Sequence, residues 1–234
     1  MLRQGDLISP SIPPRPRIFA GRSTITVLLA AALAFLALSC EDEKDPVTAT
    51  PPVFSVTPVD IAFNPADSSF GDIVFQAPVL IPFGAPLLPD FNRFSPSFEY
   101  FTVMNAPTRA VAGGVVSSIT ENPIEEGGYE IRITCLPGSD YTVIYDHIID
   151  VAVLEVSLVA PGDTLGFAGN WNDFMGHVEL QVNTGDPGQE RALCPLNFGD
   201  SAFKAQHGLL LDEYNRRDFS PKYVTLCMRP FVQE

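Results

Sequence analysis

The heptapeptide GHVELQV, Gly176 to Val182, alternates with the two-residue period of a β-strand, so Val178, Leu180 and Val182 face one way and His177, Glu179 and Gln181 the other. An imidazole and a carboxylate about 7 Å apart on one strand face are the groups of acid–base catalysis, or of a divalent-metal site with nitrogen and oxygen ligands. A second imidazole, His147, closes the stretch YTVIYDHI (141–148). The chain has three histidines, and His207 falls in a helical stretch, so no other histidine cluster is available. Glu179 alone binds metal weakly. The competing account is a polar strand face whose side chains hydrogen-bond to each other or to a loop, with His147 a structural strand end.

No CxxC or Cys/His spacing, Ser/His/Asp triad or phosphate loop stands out. Asp140, Asp163, Asp173 and Asp186 fall in turns, where aspartate bonds the local backbone. Trp171 and Phe174, in GNWNDFMG, can stack on a sugar or a peptide, or anchor their loop in the core.

The elements that carry these residues read as strands. Between Val53 and Asn183 short alternating runs are separated by turns such as PGSD and APGD: 98–106, 109–120, 129–136, 141–148, 151–159, 163–170 and 177–182. Pro46 to Pro96 holds ten prolines, which leaves room for edge strands only. Toward the C-terminus, Asp200 or Ser201 can cap a helix through AFKAQHGLLLDEYNRR, and KYVTLCM (222–228) reads as one more strand. The expected fold is mainly β, an antiparallel sandwich or barrel-like sheet with a short C-terminal helix and strand.

Ahead of this domain, Arg3, Arg15, Arg17 and Arg22 precede an apolar run, Thr26 to Leu38. That run suits a signal peptide and is short for a membrane-spanning helix, which needs about 20 residues. It ends in Ala37-Leu38-Ser39-Cys40, which resembles a bacterial lipoprotein lipobox and implies lipidation at Cys40. Residues 1–39 then form the signal peptide and 40–55, opening EDEKDPVTATPP, an acidic tether. Removing residues 1–39 takes away four basic and one acidic side chain, which leaves ten against 27, a net charge of −17. Such acidity excludes nucleic acid as a partner. An exported chain can form disulfides, and Cys194 with Cys227 is the expected pair, Cys135 remaining a buried thiol.

Four pieces occur in an informative order: Val111-Ala112-Gly113-Gly114-Val115-Val116, Tyr145-Asp146-His147, Gly162-Asp163-Thr164-Leu165-Gly166-Phe167-Ala168-Gly169 and Gly176-His177-Val178-Glu179. Over roughly Phe98 to Asn183 they resemble the core of lysostaphin-type zinc endopeptidases, peptidoglycan-cutting enzymes with the duplicated hybrid motif fold. The resemblance implies a β domain at 56–187, followed by a helix–strand extension at 188–234. It also implies catalytic roles for His147 and His177, and zinc-ligand positions at Phe98, Thr102 and Glu179. A register one residue away would turn Glu99 inward and take Phe98 and Thr102 to the other face together. Phe98 has no lone pair and Thr102 is a weak ligand, so no cofactor is expected. The implied protein is a degenerate, non-catalytic binding or regulatory module, exported and lipid-anchored to a bacterial membrane, with peptidoglycan or an envelope protein as partner. The alternative is an active metal-dependent endopeptidase with a rearranged ligand set and zinc as cofactor.

Overall fold

Alternating runs between glycine, proline and aspartate turns pair here into one large antiparallel sheet, described in a computed structural model for residues 50–75, 79–87, 89–123, 127–135, 139–186 and 188–233. The signal peptide, Cys40 and most of the tether lie outside the described residues. Among those described, the sheet has eleven strands. They are β1 (Leu80–Ile81), β2 (Ser97–Thr102), β3 (Pro107–Arg109), β4 (Gly114–Glu121), β5 (Tyr129–Cys135), β6 (Tyr141–Ile149), β7 (Leu158–Val159), β8 (Thr164–Asn172), β9 (Met175–Thr184), β10 (Arg191–Leu193) and β11 (Phe231–Gln233). The fold is mainly β as expected, but the sheet does not close into a barrel.

Its main path runs β7-β4-β5-β6-β8-β9-β10-β11, with β6 also paired to β9. Strand β2 pairs with β9 and β1, and β3 with β8. The segment after residue 187 therefore adds β10 and β11 to the same sheet, and β9 is not its last strand. Helix α1 (Ser201–Arg216) starts at Asp200, whose Oδ1 accepts from Phe203 N at 2.8 Å. Phe203, His207, Leu210 and Tyr214, at helical spacing, form its buried face.

One face of β2 and β9 supplies the core: Phe98, Tyr100, Val178, Leu180 and Val182 are fully buried. Each such apolar side chain contributes about 1.5–3 kcal/mol by leaving water. His207 belongs to this core. Its Nδ1–H donates to Phe203 O and its Nε2 accepts the Tyr100 hydroxyl, both at 2.8 Å. Burial holds it neutral, with a pKa lowered to about 4.

Three expected strands differ. The run 109–120 is broken between β3 and β4, where Ala110 N bonds Asp163 O instead of continuing a ladder. In 151–159 only Leu158–Val159 is strand, because Asp150 (φ 47°) and Val156 (φ 64°) turn left-handed and take the chain off the sheet. The segment 222–228 is irregular: Tyr223 N bonds the Asn215 side chain, and Cys227 is joined to Cys194 in a disulfide with Cα atoms 5.7 Å apart. The last strand is β11. Cys135 is a buried free thiol whose pKa burial raises to about 11.

Candidate functional site

Antiparallel pairing of β2 with β9 sets His177 opposite Phe101, Glu179 opposite Glu99 and Gln181 opposite Ser97. Directly opposed residues share a face, so Ser97, Glu99 and Phe101 lie with His177, Glu179 and Gln181. Phe98 sits opposite Leu180 and Thr102 opposite Gly176 on the core face. This corrects the metal positions assigned to Phe98 and Thr102: Phe98 is fully buried, with its ring 5.5 Å from that of His207, and neither residue faces the cluster. At the same four-residue spacing, the pair on the site's side of the strand is Ser95 and Glu99. The signal was present in SFEYFT, where Ser97 and Glu99 alternate with Phe98 and Tyr100. The last two residues, an apolar Phe101 and a polar Thr102, break that pattern.

His147 reaches the same place by breaking its own strand. Asp146 stands opposite Glu179, so strict alternation would send the next side chain to the other face. Instead, the register shifts between Tyr145 and Ile148 and His147 adopts φ 62°. The strand leaves β9 there and continues against β8 through Ile148 and Ile149. Asp146 Oδ1 accepts from His147 N at 2.7 Å and from Asn122 Nδ2 at 3.2 Å, which braces the bulge. Backbone strain of this kind costs about 1–3 kcal/mol and clusters at functional sites. Nothing in YDHIID announces it.

His147, His177 and Glu179 thereby converge, with one ligand atom of each lying within 4.8 Å of the others. His147 Nε2 is 3.3 Å from Glu179 Oε1, and His177 Nε2 is 4.0 Å from the same oxygen and 3.4 Å from Glu99 Oε2. The two imidazole centroids are 4.3 Å apart. Ser97 Oγ donates to Glu179 Oε2 at 2.7 Å and orients it. Glu99 is nearly buried; burial raises its pKa to about 7, against the Ser95 hydroxyl and the His147 charge, which hold it down. His177 is 2% exposed. Phe101 stacks on it at 4.7 Å and 15°, and Trp171 meets it edge-on at 5.1 Å. Trp171 also meets Phe101 edge-on at 5.2 Å while staying half exposed, and Phe174 at the hairpin tip is 77% exposed. Trp171 and Phe101 thus wall the site instead of Trp171 anchoring its loop in the core, and Phe174 stays in solvent. Farther along β9 the same face turns structural: Gln181 Nε2 donates to Asn183 Oδ1 at 2.8 Å, and Asn183 Nδ2 to Glu190 Oε2 at 2.9 Å.

The donor set fits zinc. Tetrahedral zinc with ligands at about 2.0–2.1 Å has ligand–ligand edges of about 3.3 Å. The His147–Glu179 edge already has that length, the His177–Glu179 edge exceeds it by under about 1 Å, and the histidine–histidine edge, within 4.8 Å, by at most about 1.5 Å. Two imidazoles and a carboxylate also form a known catalytic zinc set. Bound there, zinc would supply a polarised water; the chain's own part is to hold His147 and His177 through the bulge and the aromatic wall, and Glu179 through Ser97.

The fold and side chains thus define an antiparallel β domain with a two-histidine, two-glutamate cluster. No family model matches the chain, and no curated protein matches it. Among solved structures it is similar to the solution structure of lysostaphin (18% identity, TM-score 0.44), covering 54% of this chain and 49% of that one. It is also similar to the catalytic domain of the antimicrobial peptidase lysostaphin from Staphylococcus simulans (17%, TM-score 0.43, covering 50% and 88%). A third likeness is to LytU (24%, TM-score 0.44, covering 56% and 90%). At these scores the likeness carries no argument, and the functional reading rests on the chain's own residues.

Proposed function

We propose that the chain is an exported envelope lipoprotein, tethered through Cys40, whose peptidase-like β domain binds peptidoglycan or an envelope protein without cutting it. The observation that supports this reading is the burial of His177, 2% exposed and packed between Phe101 and Trp171. A general acid or base must reach the substrate's proton directly or through a water. At the four-residue spacing before Glu99, moreover, Ser95 offers only a hydroxyl, a weak metal ligand. The exposed edge of the site, with Trp171 and Phe174, is left as a surface for a sugar or a peptide.

A second reading, a metal-dependent endopeptidase with His147, His177 and Glu179 as ligands, is favoured by the fit of their separations to zinc. Metal analysis of the purified chain, with muropeptide release from sacculi, separates the two. Stoichiometric zinc that is lost in Glu179→Ala, together with muropeptide release, supports the peptidase and overturns the binding module. Co-sedimentation with sacculi without release supports the module, and the absence of sacculus binding, of muropeptide release and of any recovered envelope protein overturns both. For the anchor, Cys40→Ser abolishes incorporation of a fatty-acid analogue; persistence of labelling overturns the lipobox assignment.

A further inference from the structure

Strand β11 pairs with β10 on one side, and among the described residues nothing pairs with its other edge. The hairpin of Pro86–Leu87 with Asp90–Phe94 lies beside this strand. Between them runs a groove of about 680 Å³, with Leu87, Phe94, Phe231 and Val232 among the residues that line it. Its aromatic floor carries an arginine: the Arg229 guanidinium lies 3.3 Å from the Phe94 ring centroid. Arg93 lines the same groove. Both arginines are exposed, and among the described residues neither has a carboxylate within ion-pair distance, whereas Arg132, Arg216 and Arg217 are each paired with glutamate. In a chain of net charge −14 this is a local reversal of sign.

A guanidinium stacked on a ring is held in place by its flat face and keeps its N–H fork for a carboxylate. A free strand edge adds the demand for a backbone, which a peptide meets and a glycan or a phosphate does not. Apolar floor and cationic rim suit an extended segment that alternates apolar and acidic side chains.

We propose that this groove binds an extended acidic peptide of an envelope partner, added as a strand to the free edge of β11, with its carboxylates on Arg93 and Arg229. The test uses the full chain in detergent and a fluorescein-labelled acetyl-Val-Glu-Val-Glu-Val-Glu probe, read by anisotropy. Binding is expected to fall about tenfold in Arg93→Gln or Arg229→Gln, as for loss of one charge-assisted contact. It is expected to weaken as salt rises from about 0.1 M to about 1 M, and to be unchanged in Lys204→Gln on the helix. Arg93→Gln leaves the Phe94 stack in place and keeps the test valid if Arg229→Gln fails to fold. Absent binding, equal binding of a Val-Gln probe, or indifference to both arginine substitutions overturns the proposal. So does a probe affinity that rises tenfold when Glu41, Asp42, Glu43 and Asp45 are neutralised, which assigns the groove to the chain's own tether. A dimer that Arg229→Gln dissociates assigns it to a second copy and overturns the proposal as well.

Discussion

Replacing Glu99 with glutamine keeps the shape of the side chain and removes its charge. Burial raises the pKa of this carboxyl from 4.5 to about 7, with the Ser95 hydroxyl and His147 working against the rise. The folded chain therefore holds the Glu99 proton more tightly than the unfolded chain does. Between pH about 4.5 and about 7 the native state binds more protons, so this group makes stability fall as pH rises through that window. At about 1.4 kcal/mol per pKa unit, the full effect above pH 7 is about 3 kcal/mol. Glutamine does not titrate and avoids it. In urea unfolding with chelator present, Glu99→Gln and the parent are expected to be about equally stable near pH 4.5. Near pH 8 the variant should lead by about 3 kcal/mol, or about 6–12 °C in Tm for a domain of this size. Parallel pH profiles would refute the reasoning. A variant less stable than the parent near pH 8 would show that the pairing of ionised Glu99 with His177 outweighs its burial.

Other perturbations test the register and the frame. Ser95→His with Glu99→Asp puts two ligands on the site's face and should raise zinc affinity at least about tenfold by calorimetry. Phe98→His with Thr102→Asp puts the same pair on the core face, so it should lower stability by about 3–5 kcal/mol with no gain in metal binding. Joint replacement of Cys194 and Cys227 by alanine opens a link across 33 residues, and denaturant unfolding should register a loss of about 3–4 kcal/mol. In Gly176→Ala the new Cβ would lie 2.8 Å from Thr102 Oγ1 and 2.9 Å from Val103 O, so β2 and β9 must part beside His177. A Tm drop with altered His177 ring signals in NMR is expected; an unchanged spectrum would refute the close-approach account.

The strands that pair most extensively were legible as strands: YEIRITC and GHVELQV keep a two-residue pattern over three or more turns of the pleat, and YTVIYD pairs regularly up to the bulge at His147. The helix showed through its capping aspartate and its Phe203-His207-Leu210-Tyr214 spacing. The run 151–159 has the composition of a strand yet is mostly irregular. Its β-branched residues record a preference for pleated surfaces, and the chain turns off the sheet at Asp150 and Val156. Leu154 and Val156 stay about 80% exposed there, at 77% and 83%. At the site, His177 and Glu179 were readable on one face, whereas Glu99 was visible only as an alternative register, because Phe101 and Thr102 reverse the polarity of their strand end.

By itself, the sequence determined the β character of the domain, the common face of His177 and Glu179, and the acidity of the chain, since periodicity and charge are local properties. Tertiary structure alone decided that Glu99, and not Phe98 or Thr102, stands beside His177, because pairing register is a relation between two strands and a one-residue slip reverses every side chain. It alone decided that His147 joins them, because the left-handed turn that aims the ring exists only where β6 leaves one neighbouring strand for another. And it alone gathered Arg93 and Arg229, from two separate segments, in one groove beside the last strand of the sheet.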